Sequence, residues 1–94
     1  MIELLQIMFN YFKYRKIKKE VINFIDYDDI YYGSSIILIQ LNTKDDFKYY
    51  DWGEINRNII RIRSIKNISL INQDLKKYYN KDRYRKEKLK RLIK

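Results

Sequence analysis

A short apolar segment near the middle of the chain constrains the fold most strongly. Residues 35–41 read Ser-Ile-Ile-Leu-Ile-Gln-Leu, and both sets of alternating positions in this segment carry apolar side chains. A strand that is apolar on both faces must be covered on both sides, which places it in the interior of a sheet. The segment therefore predicts a central strand, buried on both faces, with a neighbour at each edge.

Three further strands, with the turns between them, are predicted to complete a small antiparallel sheet of three to four strands. Residues 21–27 are rich in β-branched and aromatic side chains, which favours a strand. Residues 42–46 are polar and of hairpin length, and residues 47–52 are expected to return antiparallel after them. A second turn is predicted at residues 53–58, before the alternation of residues 59–65 indicates another strand.

A helix is predicted over residues 2–14, where four polar positions form one narrow stripe and apolar side chains cover the rest of the circumference. An apolar arc this wide exceeds what one packing face needs. We therefore expect part of it to form a homodimer interface, through Leu4, Met8, Phe9, Tyr11 and Phe12.

A second helix is predicted from Asn72, as its N-cap, to Lys94, because no helix breaker interrupts this stretch. Its apolar side chains share one face, which Asp82, Arg85 and Lys86 interrupt in the middle, so we expect the helix to project partly from the body. The apolar residues of this face are Leu75, Tyr78, Tyr79, Leu89, Leu92 and Ile93. The chain thus predicts a single α+β domain over residues 1–94, with an N-terminal amphipathic helix, the sheet and a C-terminal basic helix.

Charge is segregated along the chain. Residues 1–25 have a net charge of +3, residues 26–54 of −5 and residues 55–94 of +11, which together give the overall +9. Such asymmetry can steer an anionic partner toward one end of the molecule. It can equally drive the acidic middle against the basic end, within one fold or between two copies.

Basic residues of the C-terminal helix are the main candidates for function, since residues 73–94 alone have a net charge of +7. A cationic helix face attracts nucleic-acid phosphates through counterion release, and an interleaved tyrosine can stack on an exposed base. The predicted nucleic-acid-binding residues, opposite the apolar face, are Lys76, Lys77, Lys81, Arg83, Tyr84, Lys88, Lys90 and Arg91. A solvated surface helix, and contact with an acidic protein or a membrane surface, are the alternatives.

Two arginines of the strand predicted at residues 59–65 extend this footprint. Arg61 and Arg63 share one face of that strand, near the aromatic residues 49–52 if the hairpins pair sequentially. Arginines and aromatic rings on one sheet face form a stacking platform for single-stranded nucleic acid. The alternative is that these arginines pair with carboxylates such as Asp51 or Glu54, an interaction worth little at a surface.

Composition argues against several classes of site. The chain has no Cys and no His, and its two glycines do not have phosphate-loop spacing. The acidic cluster of Asp26, Asp28 and Asp29 matches no calcium-loop spacing. No run approaches the roughly 20 apolar residues of a membrane-spanning helix. We therefore expect no catalytic residue, metal, cofactor or membrane contact, and a cytoplasmic location.

The sequence as a whole predicts a small, basic, non-enzymatic protein that binds nucleic acid or a nucleoprotein. The prevalence of Ile, Lys, Tyr and Asn and the absence of Ala indicate an AT-rich genome, so coding bias supplies part of the lysine excess. The alternative is a phage or mobile-element protein that inhibits a host complex by protein–protein binding, as anti-CRISPR proteins do.

Overall fold

The computed structural model describes residues 14–93 and has an α+β fold, as predicted. The predicted dimer interface and almost all of the helix predicted at residues 2–14 lie outside the described residues. The first described element, helix α1, covers residues 14–20. Tyr14 and Ile17 are buried on one side of it, and Val21 follows at the same helical spacing. This spacing explains how α1 contributes to the core.

The sheet has three antiparallel strands in the order β1-β2-β3: β1 is Asp29–Tyr32, β2 is Ile37–Tyr50 and β3 is Gly53–Ile62. The predicted central position of the apolar segment is confirmed, because Ile37 pairs with Tyr32 on one side and with Ile62 on the other. Its burial on both faces is wrong. From Ile37 to Leu41 every second side chain is buried, whereas the opposite face of this segment bears the half-buried Leu38 and the exposed Gln40.

The predicted position of the hairpin turn is also wrong. Residues 42–46 continue β2 instead of forming a loop, the chain turns at residues 51–52, and residues 53–58 belong to β3. The pairing register shifts between Gln40 and Asp45 and again between Asp45 and Lys48. Such bulges bend a strand without ending it, so the polar side chains of this segment mark an exposed bend within one long strand.

Gly53 lies where the hairpin curls back onto the end of β3. The backbone N–H groups of Arg63 and Ser64 donate to the carbonyl oxygen of Trp52, at 2.7 and 3.1 Å. A Cβ atom at Gly53 would lie 1.9 Å from the carbonyl oxygen of Arg61. Only glycine allows this approach of the two backbone segments. The hairpin thereby closes on itself at the turn.

The continuous C-terminal helix is wrong, because the structure has two helices there. Helix α2 is Ile68–Leu75 and is followed by a 3-10 turn, Lys76–Tyr78, and then by helix α3, Lys81–Ile93. The break lies at Tyr79, which is extended and forms an isolated antiparallel bridge with Ile25. The N-cap of α2 is Asn67 rather than Asn72, and its side chain accepts a hydrogen bond from the Leu70 N–H at 3.1 Å.

The strand predicted at residues 21–27 is wrong as well. A 3-10 helix, Ile22–Phe24, follows α1, and only the bridge of Ile25 to Tyr79 has strand character. The N–H groups of Val21 and Phe24 form local helical hydrogen bonds, the first to the Ile17 carbonyl at 2.9 Å. Local hydrogen bonds therefore satisfy the backbone N–H groups of this segment without a strand partner. The β propensity of its side chains does not decide its structure.

One hydrophobic core joins the helices to the inner face of the sheet. Ile17 of α1, Ile39 of β2 and Ile71 of α2 are all fully buried in it. Trp52, at the hairpin turn, is buried too, and its indole N–H donates to an Asp74 carboxylate oxygen at 2.8 Å. The sheet, α1 and α2 thus form the body on which α3 is mounted.

Candidate nucleic-acid interface

Helix α3 is attached to the body through its first turn. Asn80 caps the helix, because its side-chain oxygen accepts from the Arg83 N–H at 3.0 Å, and its amide nitrogen donates to Asp26 at 3.2 Å. The Arg83 guanidinium donates to the Asn23 carbonyl at 2.6 Å and forms an ion pair with Asp26. The hydrogen bonds from Asn80 and Arg83 lower the pKa of the Asp26 carboxyl.

Three aromatic rings pack where the first turn of α3 meets the body. The Tyr84 ring lies edge-on to Phe24, with ring centroids 5.0 Å apart, and 5.2 Å from the ring of Tyr79. Lys88 places its ammonium 4.7 Å from the centroid of the Tyr84 ring, a cation–π distance. Tyr84, predicted to stack on a base, is therefore half-buried in a packed cluster.

Further along α3, Arg91 faces the body. Its guanidinium lies 3.3 Å from the Glu20 carboxylate of α1 and 3.8 Å from Glu87, one turn earlier in α3. At about 100° per residue, Arg83, Glu87, Arg91 and Tyr84 share one side of the helix. This side is the one that packs on the protein.

The leucines of α3, at the far end of the interrupted apolar face, point to solvent. Leu89 is 52% exposed and Leu92 is 81% exposed. The break at Tyr79 separates the phase of α3 from that of α2, and the contacts of Arg83, Tyr84 and Arg91 fix the rotation of α3. Full burial of a leucine is worth about 2 kcal/mol, of which Leu92 forgoes most and Leu89 about half in this arrangement.

Most basic side chains of the 3-10 turn and α3 are exposed and have no carboxylate partner in the described chain. Among residues 14–93, no carboxylate lies within ion-pair distance of six of them. These six form what we name the outward cationic face: Lys76, Lys81, Arg85, Lys86, Lys88 and Lys90. Asp82 is the only carboxylate on the same side of α3 within its described part.

A groove of about 380 Å³ runs beside this face, between the 3-10 turn and α3. Its apolar lining comes from Tyr79, Tyr84, Leu89 and Leu92, and the residues with cationic side chains that line it are Lys76, Lys81, Arg85 and Lys88. Lys86 and Lys90 of the outward cationic face do not line the groove. The site therefore combines an apolar cleft with a cationic rim.

Lys77 is held away from this face. Its ammonium lies 2.7 Å from the Asp45 carboxylate, which also accepts the Tyr78 hydroxyl hydrogen bond at 2.6 Å. These two hydrogen bonds, with one from the Asp46 N–H, lower the pKa of Asp45, and the bond to Asp45 raises the pKa of Lys77. The Asp45 cluster ties the 3-10 turn to the bend in β2.

Arg61 and Arg63 differ in their surroundings. Arg61 pairs with Leu38, which pairs with Tyr31 in β1, so these three residues form a row across the sheet. Arg63 lies beyond the end of β3 and forms an ion pair with the buried Glu54. The alternative of carboxylate pairing thus holds for Arg63.

The structure brings together Lys76, Lys81, Tyr84, Lys88 and Lys90 of the predicted set, whereas Lys77, Arg83 and Arg91 are held in ion pairs. Arg85 and Lys86 join the outward cationic face although the sequence prediction omitted them. Asn80, followed by Asp82, is a typical signal for the start of a helix. Counting helical positions from residue 80 instead of from residue 72 would have placed Arg85 and Lys86 among the outward cations.

No known protein family, characterised protein or solved structure matches the chain. None of the helices within residues 14–93 has the length and hydropathy needed to cross a bilayer. Over the same range, no three acidic side chains come close enough together to hold a metal ion. In the acidic cluster of Asp26, Asp28 and Asp29, the Asp26 carboxylate is bound by Asn80 and Arg83.

Proposed function

We propose that the protein binds nucleic acid, alone or within a nucleoprotein, as a non-enzymatic module that contacts phosphates through the outward cationic face. The observation that carries the proposal is that these six cations are exposed and have no carboxylate partner among residues 14–93, although Lys77, Arg83 and Arg91 each have one. Cations that merely balanced the acidic middle of the chain would be paired with it.

The mechanism is neutralisation of backbone phosphates. Each cation that contacts a phosphate releases condensed counterions, so the affinity falls steeply as salt rises. Helix α3 presents its cations on a regular element anchored by Asn80, Arg83 and Tyr84, which limits the entropy lost on binding. The interaction needs no base-specific contact. The cytoplasmic location expected from the sequence remains a prediction.

The test is a salt titration of binding to a labelled oligonucleotide, for the wild type and the variant Lys86→Glu/Lys90→Glu. Both side chains are exposed and lie outside the groove, so the fold is expected to persist. We expect the variant to bind at least about tenfold more weakly. Its slope of log affinity against log salt should be smaller in magnitude by about 2.

A matched control makes the same change of charge elsewhere. Lys44→Glu/Lys48→Glu alters two exposed lysines of β2 and is expected to change the affinity far less. Equal losses for the two variants would show that only net charge matters and would contradict the assignment to α3. Unchanged affinity in Lys86→Glu/Lys90→Glu would contradict it too.

A further inference from the structure

We infer that the groove beside α3 accepts an unstacked base, so that the protein prefers single-stranded over duplex nucleic acid. This inference rests on the proposed function, because the outward cationic face must hold the phosphates. It adds a role for the groove residues, which the neutralisation of phosphates does not need. Its basis is that an apolar cleft and a cationic rim occur in one place.

The groove has the size and the chemistry for a flat ring. Its volume is about 380 Å³, and a closed cavity of roughly 150 Å³ already holds a benzene ring. Leu89 and Leu92 offer exposed apolar surface on one wall, and Tyr79 and Tyr84 lie beside them. A base in this position would cover apolar surface that the fold leaves open to water.

The rim sets the charge of the occupant. Lys76, Lys81, Arg85 and Lys88 line the groove, and none of them has a carboxylate partner among residues 14–93. A ligand with anions spaced along a flexible chain and flat rings between them meets both features. Single-stranded nucleic acid has this pattern, whereas the bases of a duplex are stacked and paired and cannot enter a cleft.

A membrane surface fits the site less well. An interfacial helix buries a continuous apolar face in the plane of the lipid. Here the exposed apolar side chains of α3, Leu89 and Leu92, are interleaved with Arg85 and Lys88, and they flank a concave cleft that a flat bilayer surface does not fill. We therefore commit to a nucleic-acid strand as the occupant, and the test includes lipid.

The experiment compares three labelled probes of about 15 nucleotides, a length within reach of one small module. They are a single strand, the same strand annealed to its complement, and an abasic strand that keeps the phosphates but lacks bases. We expect wild-type protein to bind the single strand about tenfold more tightly than either other probe. Equal affinities with a retained salt dependence would overturn the groove inference and leave the proposed function standing.

The variant Leu89→Ser/Leu92→Ser removes the exposed apolar wall and keeps every charge. We expect it to bind all three probes as weakly as wild type binds the abasic strand, with only a small decrease in thermal midpoint, since Leu92 is exposed and Leu89 is half-exposed. Lys86→Gln/Lys90→Gln is the matched control, because it removes charge outside the groove and should weaken all three probes by the same factor.

Two further outcomes are decisive. If the protein bound none of the three probes in a salt-dependent way, the proposed function would be contradicted, and the groove inference with it. Binding to vesicles of anionic phospholipid that requires Leu89 and Leu92, without a preference for single strands, would overturn the inference and assign the groove to a lipid surface.

Discussion

At the scale of single residues, two adjacent tyrosines have opposite environments. The Tyr78 hydroxyl donates to Asp45 at 2.6 Å, and burial together with this hydrogen bond raises the pKa of Tyr78 to about 12. The Tyr79 hydroxyl is buried, and it has no hydrogen-bond partner within the described chain of residues 14–93. Burial raises the pKa of Tyr79 as well. One hydroxyl thus stabilises the fold and the other does not.

Removing each hydroxyl should therefore change stability in different directions. We expect Tyr78→Phe to lower the free energy of unfolding by roughly 1.5 kcal/mol, because a hydrogen bond to a charged acceptor is lost. Tyr79→Phe should leave it unchanged or raise it by up to about 1 kcal/mol, because a buried hydroxyl without a partner is removed. Urea denaturation measures both, and a loss in Tyr79→Phe equal to that in Tyr78→Phe would contradict the assignment.

At the scale of elements, the position of α3 depends on its N-cap. We expect Asn80→Ala to lower the free energy of unfolding by about 1 kcal/mol through the lost cap. Because Asn80 also holds Asp26, this change should loosen the first turn of α3 on the body and weaken oligonucleotide binding. Denaturation and the salt titration measure the two effects.

Asn67→Ala is the matched control, since Asn67 caps α2 through the same kind of hydrogen bond to the Leu70 N–H. It should cost a similar amount of stability and leave the affinity for oligonucleotides unchanged. If Asn67→Ala weakened binding as much as Asn80→Ala, the effect would come from general destabilisation and not from the mounting of α3.

Which elements the sequence predicts depends on the range of the interactions that form them. The central position of the strand at Ile37 follows from hydrophobic patterning. The edge strand β1 does not follow from it, since a strand was expected at residues 21–27 instead. The turn at residues 51–52 was missed because bulges allow polar residues 42–46 to stay in β2. The helix break at Tyr79 was missed because it depends on pairing with Ile25, distant in sequence.

The candidate site was predicted in composition and missed in orientation for the same reason. Helical phase was counted through residue 79 as if no break existed, so exposed Leu89 and Leu92 were placed on the same face as buried Leu75. Contacts between distant residues, Arg83 with Asp26 and Arg91 with Glu20, decide which side of α3 faces the body. Local pattern contains no information on such pairs.

At the scale of the whole molecule, the segregated charges have two uses. Within the described residues 14–93, three ion pairs connect the part of the chain after residue 73 to acidic residues before it: Arg83 with Asp26, Lys77 with Asp45 and Arg91 with Glu20. These pairs hold α3 and the 3-10 turn on the body. The remaining cations of α3 are left exposed as a consequence, because the inward positions are already taken.

This arrangement predicts a defined loss of stability in acid. Hydrogen bonds to Asp26 and Asp45 lower the pKa of both carboxyls in the folded protein, below the roughly 3.9 of an unfolded aspartate. Their contribution is therefore fully present above the unfolded value, and it is lost as the pH falls from about 5 through the lower folded values. The thermal midpoint, followed by circular dichroism, should fall over that range.

The double variant Asp26→Asn/Asp45→Asn tests whether these two carboxyls are responsible. We expect a lower thermal midpoint than wild type at neutral pH and a flatter dependence below about pH 5, so that the two curves converge in acid. Asp28→Asn is the control, because Asp28 is an exposed carboxylate outside the ion pairs found in residues 14–93. An acid dependence in the double variant as steep as that of wild type would mean that other carboxyls are responsible. The ion pairs of Asp26 and Asp45 would then not be what holds α3 and the 3-10 turn on the body.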